Sequence, residues 1–140
     1  MDYVDTSILV AALTHEIATE RVQVWLEDQR EADLAISPWV RTEFSAALSV
    51  KMRTGAITPA QRADALVLFR EMVARSFRIL PIDGAHFEAA AGLADQAMLG
   101  IRAGDALHLA IALTNGATLW TLDRRMKDGA ATLGIPARFV

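Results

Sequence analysis

The sequence contains no cysteine, which excludes a disulfide framework and any metal site built on thiolates. It also lacks an apolar run of the ~18 residues that a membrane-spanning helix requires. Its N-terminus carries acidic residues and has no secretory signal pattern. These absences favour a cytoplasmic protein without a membrane partner.

An excess of positive charge is also missing, because 14 lysines and arginines stand against 17 aspartates and glutamates. The net charge of −3 does not indicate a nucleic-acid partner, although this argument loses force if several acids bind divalent cations. The basic residues are grouped, and such groups are more often solvated faces than nucleic-acid sites. The groups are Lys51 with Arg53, Arg75 with Arg78, and Arg124 with Arg125 and Lys127.

Apolar residues, in contrast, are abundant and make up 53% of the 140 residues. This length and composition predict one domain, residues 1–140, with a sizeable core and some apolar surface left for a partner. Short apolar strand patterns alternate with helix patterns along the chain. Because several strands are apolar throughout, we expect an α/β fold: a three-layer α/β/α sandwich with a central, mostly parallel sheet.

The element boundaries follow these patterns and local start signals. Ser37-Pro38 and Thr58-Pro59 each pair an N-cap residue with proline at the first helical position. The first helix is expected to be capped by Thr6 or Ser7. Strands are predicted at 3–4, 33–36, 77–80, 117–121 and 138–140. Helices are predicted at 8–13, 18–30, 38–53, 59–75, 83–99, 105–113 and 123–129.

Three aspartates stand at the ends of predicted elements. Asp5 and Asp123 directly follow strands, at the sheet edge where open α/β folds bind their ligands, and Asp105 opens a nearly all-apolar helix. Each also has a purely structural interpretation. Asp5 and Asp123 could be helix N-caps, and Asp105 gains from the helix dipole in the first turn.

Glu43 is harder to explain structurally, because it shares a helical face with apolar residues: Trp39, Ala46, Ala47 and Val50. A carboxylate on a core face is costly unless it is protonated, paired or bound to a cation. The structural alternative is an arginine partner such as Arg41 or Arg102.

Taken together, Asp5, Glu43, Asp105 and Asp123 predict an acidic metal site. Converging carboxylates repel one another, and hard oxygen ligands of this kind suit Mg²⁺ or Mn²⁺. Such an ion activates water, and a pair of ions stabilises both the attacking and leaving oxygens of a phosphodiester. His108 lies on the same helical face as Asp105, but its apolar neighbours favour a packed histidine bonded to the backbone over a ligand or general base.

Four segments carry a family resemblance: Tyr3-Val4-Asp5-Thr6-Ser7, Ser37-Pro38-Trp39-Val40-Arg41-Thr42-Glu43-Phe44, Gly104-Asp105-Ala106-Leu107-His108-Leu109-Ala110 and Thr121-Leu122-Asp123. In this order and spacing the chain resembles the PIN-domain ribonucleases, in particular the VapC-type toxins of type II toxin–antitoxin pairs. The resemblance implies a central first strand and four acids that hold Mg²⁺ or Mn²⁺ and hydrolyse RNA. It also implies that the Thr6 and Thr121 hydroxyls support the site.

The family further implies a homodimer and a cognate antitoxin protein as partners, beside the RNA substrate. The helices around 39–52 and 59–75 are our candidate surfaces, with Phe69 and Met72 as test positions. Two alternatives stay open. One is a PIN-like module that binds RNA or protein without cleaving it. The other is an aspartyl phosphatase, whose usual second aspartate is replaced here by Ser7.

Overall fold

The computed structural model describes residues 1–29 and 33–140 and has a parallel sheet at its centre. The strands are β1 (Asp2–Val4), β2 (Leu34–Ile36), β3 (Arg78–Ile79), β4 (Thr118–Thr121) and β5 (Ala137–Phe139). The helices are α1 (Thr6–Leu13), α2 (Thr19–Asp28), α3 (Pro38–Arg53), α4 (Pro59–Ser76), α5 (Gly84–Ala94), α6 (Ala103–Thr114) and α7 (Arg124–Thr132). A short 3₁₀ turn, Ala97–Leu99, precedes α6.

The strand order is β3-β2-β1-β4-β5, and every neighbouring pair is parallel. From the central β1 the chain builds outward through β2 and β3, then returns to place β4 on the other side of β1. The order therefore reverses between β1 and β4. Ligands of open α/β sheets bind at such a switch point, outside the carboxyl ends of the strands.

Alternate side chains of the strands point to opposite faces of the sheet and pack in two separate hydrophobic cores. Tyr3, Ala35 and Leu119 pack with residues of α5, α6 and α7 on one face of the sheet. Val4 and Ile36, on the other face, pack with residues of α1 to α4. The predicted three-layer α/β/α sandwich is confirmed, and its sheet is entirely parallel.

Helices α3 and α4 begin where the sequence predicts, but only one of their N-cap residues makes a capping hydrogen bond through its side chain. Thr58 caps α4 through a full capping box with Gln61. Ser37 precedes Pro38 at the start of α3, yet its side chain makes no capping bond and contacts the Tyr3 hydroxyl instead. The predicted end of the second helix at Arg30 lies outside the described residues.

Several boundaries differ from prediction; among them, α6 begins at Ala103 and not at Asp105. The first helix begins at Thr6, because the Asp5 carboxylate accepts the backbone N–H groups of Ser7 and Ile8; neither Thr6 nor Ser7 is the cap. The helix after Asp83 ends at Ala94 and not near Leu99, although its alanine-rich sequence favours continuation. Conversely, α7 continues past Gly129 to Thr132. In the part of the chain that the structure describes, no helix is long and apolar enough to cross a bilayer.

Candidate active site

A cavity of about 520 Å³ opens at the carboxyl edge of the sheet, and all four predicted acids line it. Its polar residues are Asp5, Thr6, Ser7, Glu16, Glu43, Asp105, His108 and Asp123. Its apolar wall is formed by Val10, Ala46, Ala47, Val50, Leu122 and Met126. Residues from four helices (α1, α3, α6 and α7) and two strand ends therefore meet where the strand order reverses.

Asp5 is both the N-cap of α1 and part of the cavity wall. Its Oδ1 accepts hydrogen bonds from the backbone N–H of Ser7 at 3.0 Å and from the Ser7 hydroxyl at 2.5 Å. Its Oδ2 accepts the Thr121 hydroxyl at 2.7 Å. Burial raises the pKa of Asp5, and the charge of His108 and these hydrogen bonds offset only part of the effect.

The end of β4 is tied to Asp5 by two hydroxyl groups. Thr121 donates to Asp5 and accepts the backbone N–H of Asp123 at 2.8 Å, so one hydroxyl links two of the acids. Ser7 donates to Asp5 and accepts the N–H of Leu122 at 2.9 Å. These bonds hold the first turn of α1 against the end of β4 and fix where both acids lie.

Glu43 reaches the cavity from α3 and is held by side chains of two other helices. His108 Nε2 lies 2.6 Å and Thr6 Oγ1 lies 2.5 Å from the same oxygen, Oε2. Burial tends to raise the pKa of Glu43, but hydrogen bonding and electrostatic attraction from His108, with the Thr6 bond, outweigh burial and lower it. Glu43 is therefore an oriented carboxylate whose other oxygen, Oε1, takes no part in these bonds.

Behind Glu43 a chain of buried polar groups runs into the core. The Glu43 carboxylate is an acceptor, so His108 Nε2 donates to it, and the other ring nitrogen, Nδ1, is hydrogen-bonded to the Tyr3 hydroxyl at 2.9 Å. The Tyr3 hydroxyl is also hydrogen-bonded to the Ser37 hydroxyl at 2.8 Å. Every member of the chain therefore has a partner, and these bonds set the orientation of the imidazole.

Asp105 and Asp123 are half-buried and less constrained. Asp123 caps α7 through Oδ1, which accepts the N–H of Arg125 at 2.8 Å and of Met126 at 3.2 Å. Within the described residues the Asp105 carboxylate accepts no side-chain hydrogen bond. Burial and repulsion from Asp123 raise the pKa of Asp105, although His108 and Arg102 act in the opposite direction.

The chemistry of these residues fits a divalent cation. Four carboxylates supply hard oxygen donors around one cavity, and Asp105 is a half-buried carboxylate opposed by a neighbouring acid. A cation would relieve that repulsion. In the described part of the chain, however, no three acidic or imidazole side chains are already close enough to hold an ion together.

The structure brings together all four predicted acids and both predicted hydroxyl residues. Thr6 contacts Glu43, and Thr121 contacts Asp5. His108 is buried as expected, but its ring contacts Glu43 and Tyr3 and not the backbone. The sequence signal that His108 lies near the acids was its position three residues after Asp105, on the same face of the helix.

Two further contacts were not foreseen. Glu43 is paired with His108 and not with Arg41 or Arg102. Glu16 also lines the cavity, where Lys51 pairs with it at 2.7 Å, and no local sequence pattern identifies it.

Comparison with known proteins places the chain in a family. The sequence profile of the PIN domain matches residues 3–131. Ribonuclease VapC35 of Mycobacterium tuberculosis is 30% identical over 140 residues, which cover 96% of this chain and 93% of that protein.

Solved structures share the fold at lower identity. A chain of VapBC2 from Rickettsia felis, bound to a promoter DNA fragment, is 20% identical with a TM-score of 0.73, covering 100% of this chain and 99% of that one. A chain of a toxin–antitoxin complex from Klebsiella pneumoniae is 20% identical with a TM-score of 0.61, covering 88% and 87%. With the profile match over most of its length, the chain belongs to the PIN-domain family, and VapC-type ribonucleases are its relatives.

Proposed function

We propose that this PIN-domain protein is a ribonuclease that requires Mg²⁺ or Mn²⁺ and cleaves RNA internally, as the cytoplasmic toxin of a toxin–antitoxin pair. The observation that carries the proposal is the convergence of Asp5, Glu43, Asp105 and Asp123 on one cavity at the switch point of the sheet. The relative named Ribonuclease VapC35, aligned over 96% of this chain, supports the same chemistry.

The four acids would hold the cation, and hydrogen bonds fix two of them in position. Asp5 is fixed by Ser7 and Thr121, and Glu43 by His108 and Thr6. When bound, a divalent cation activates water and neutralises charge on the phosphodiester. The protein's own contribution is to hold Asp5 and Glu43 rigidly, so that little reorganisation is needed during the reaction.

Asp105 and Asp123 differ from the other two acids because their cavity-facing oxygens are less restrained. Burial and repulsion from Asp123 raise the pKa of Asp105, and a nearby cation would relieve that repulsion. Asp105 caps none of the helices that the structure describes, so its removal tests cation binding with the least disturbance of the fold.

The proposed partners are an antitoxin protein and a second copy of the chain. Apolar residues of α1 and α3 adjoin the acids in the cavity wall, and Val50 is 48% exposed, so an inhibitor covering the acids would also bury apolar surface. The toxin–antitoxin complex from Klebsiella pneumoniae shares this fold. A separate apolar surface on α5 and α6, which includes the exposed Phe87, suits self-association.

The test is cleavage of a mixed RNA pool by purified protein with Mn²⁺, with Mg²⁺ and with chelator, beside the Asp105→Asn variant. Asp105→Asn is preferable to Asp5→Asn, because Asp5 also caps α1 and its replacement disturbs several hydrogen bonds. We expect cutting that depends on metal and falls by about 10² in the variant, comparable to removing one key electrostatic group from an active site.

Thermal unfolding gives a second readout that does not depend on activity. Mn²⁺ should raise the unfolding midpoint of the wild type and have a smaller effect on Asp105→Asn, because a ligand that binds the folded state stabilises it. In chelator the variant should unfold at a higher temperature than wild type, since a repelled, half-buried carboxylate is removed. Metal-independent cutting, or equal cutting by both proteins, would contradict the proposal. RNA binding without cutting would favour the non-cleaving module.

A further inference from the structure

Three arginines from three different elements lie over aromatic rings beside the candidate active site. The Arg21 guanidinium of α2 is 5.7 Å from the centroid of the Phe139 ring, and that of Arg124 at the start of α7 is 5.8 Å from the same centroid. Arg138 of β5 lies 5.6 Å from the Trp120 ring. We call these five residues the arginine–aromatic surface.

The charges of this surface are not neutralised within the described protein. All three arginines are exposed, and none of them lies within 4.0 Å of a carboxylate oxygen in residues 1–29 and 33–140. Two of the guanidinium groups lie near the same ring, that of Phe139. A bound polyanion would neutralise the positive charge of this surface.

The position of Arg124 supports the same conclusion. Arg124 and Arg125 open α7, and the first turn of that helix contains no acid. Positive charge at the N-terminus of a helix opposes the helix dipole, so these residues do not serve the stability of α7.

The arginine–aromatic surface is continuous with the acidic cavity. Arg124 directly follows Asp123, which lines the cavity. Phe139 lies opposite Thr121 in the β4–β5 pairing, and the Thr121 hydroxyl donates to Asp5. A strand that enters the cavity would therefore extend across β5, the edge strand of the sheet.

We propose that Arg21, Arg124 and Arg138 bind phosphates of the RNA strand next to the cleaved bond, with Phe139 and Trp120 holding the guanidinium groups in place. Guanidinium groups bind phosphate through charge-assisted hydrogen bonds, and stacking on a ring limits the freedom they lose on binding. Asp2 accepts the Trp120 indole N–H at 2.9 Å, which fixes the ring beneath Arg138. This inference rests on the proposed ribonuclease function.

The sequence alone groups these residues differently. It places Arg124 with Arg125 and Lys127, whereas the fold places it with arginines that are 103 and 14 positions away. Electrostatic complementarity to a nucleic-acid strand thus arises on a chain whose net charge is −3.

The experiment compares steady-state RNA cleavage by Arg21→Gln/Arg124→Gln with that of Arg70→Gln/Arg75→Gln over a salt series. Both double variants lose two exposed positive charges, but Arg70 and Arg75 lie on α4, away from the cavity. We expect KM to rise about tenfold in the first variant with kcat retained, and the slope of log KM against log salt to fall by about 0.7 for each lost phosphate contact. The α4 variant should behave as wild type.

Two additional variants separate charge from packing. Arg124→Lys retains the charge but not the planar guanidinium, so it should restore only part of the affinity that Arg124→Gln loses. Phe139→Leu retains an apolar side chain, and it should raise KM because both guanidinium groups lose their ring. Thermal unfolding of each variant confirms that it is folded.

Failure of this inference and failure of the proposed function give different results. If wild type cleaves RNA but Arg21→Gln/Arg124→Gln has the same KM and salt slope, the surface does not bind RNA and the ribonuclease function stands. If wild type does not cleave, fluorescence anisotropy of an RNA oligonucleotide in chelator still tests the surface. Loss of binding to a poly-glutamate peptide with unchanged RNA binding would make it a protein-docking surface and overturn the inference.

Discussion

Glycine at position 104 leaves room for the Glu43 carboxylate. A Cβ atom built at Gly104 would lie 3.0 Å from Glu43 Oε1 and 3.6 Å from Trp39 Nε1. Glu43 cannot yield freely, because His108 and Thr6 hold its other oxygen. The glycine therefore serves the geometry of the site, although its helical position would favour alanine for stability.

We predict that Gly104→Ala lowers the RNA-cleavage rate by about tenfold to a hundredfold while the protein remains folded, because a small displacement of one positioned group is costly. Single-turnover cleavage with circular dichroism tests this. Gly92→Ala is the matched control, since nothing lies within 4 Å of its added Cβ; it should stabilise α5 by about 0.5–1 kcal/mol with unchanged cleavage. Wild-type cleavage by Gly104→Ala would contradict the assignment.

At the scale of the elements, the buried chain from Ser37 through Tyr3 and His108 to Glu43 joins α3, β1 and α6. We predict that Tyr3→Phe destabilises the protein by about 1–3 kcal/mol, because the partners on both sides of the lost hydroxyl stay buried. It should also slow cleavage, since the imidazole that orients Glu43 loses one of its two contacts. Urea unfolding and single-turnover rates measure the two effects.

Adding Ser37→Ala to Tyr3→Phe supplies the control. The double variant should lose less stability than the two single losses combined, because residues of one network are coupled. Additive losses would show that Ser37 and Tyr3 are not energetically coupled and would contradict the network.

The free energy of unfolding should depend on pH through Asp83, the N-cap of α5. Asp83 accepts backbone N–H groups of Ala85 and His86, and hydrogen bonding to the His86 side chain is the largest cause of its lowered pKa. A lowered pKa in the folded state gives stability that is present above the unfolded value near 4 and is lost as the pH falls through the folded value. Asp83→Ala should therefore lower the unfolding midpoint at pH 7 and approach wild type in acid.

Asp83→Asn distinguishes the cap from the charge. Asparagine is also a good N-cap, so this variant should unfold above Asp83→Ala at pH 7. It has no ionisable group at this position, so its difference in unfolding midpoint from Asp83→Ala should not change with pH, whereas the difference between wild type and Asp83→Ala should shrink in acid. A constant difference between wild type and Asp83→Ala at all pH values would contradict the role of the carboxylate.

At the scale of the whole molecule, the apolar surface of α5 and α6 is the candidate contact for a second copy of the chain. It contains Phe87, which is 57% exposed, in a depression lined by Trp39, Ala90, Ala91, Ala94, Ala103, Gly104, Ala106 and Leu107. Phe69 is a poor test position, since it is 5% exposed and stacks on Phe44, so a charge there would act on the core.

We predict that Phe87→Glu dissociates the proposed homodimer into monomers, because a charge would be buried in the contact at a high desolvation cost. Sedimentation equilibrium measures the change. Val67→Glu is the control on α4, where Val67 is 52% exposed, and it should leave the dimer intact. A Phe87→Glu dimer as stable as wild type would place the contact elsewhere.

The sequence by itself determined the fold class and the order of the elements, and it singled out four acids that the fold places around one cavity. Hydrophobic periodicity, proline at helix starts and acids after strands are properties of a few neighbouring residues, so they are readable without a structure. Helix ends were less well determined. Helix α1 begins at Thr6 and not at Ile8, because the Asp5 carboxylate is its N-cap. Helix α5 ends at Ala94, although its alanine-rich sequence predicts a helix to about Leu99.

Tertiary structure alone decided which distant side chains meet. His108 contacts Glu43 across 65 positions and Tyr3 across 105, and Arg21 shares the Phe139 ring with Arg124. Such contacts depend on how helices from both layers pack against one sheet, and no local pattern encodes that packing. Phe69 was a candidate for an interaction surface, but it is buried in the core. Helix periodicity identifies an apolar face but does not show whether the protein's own core or a partner covers it.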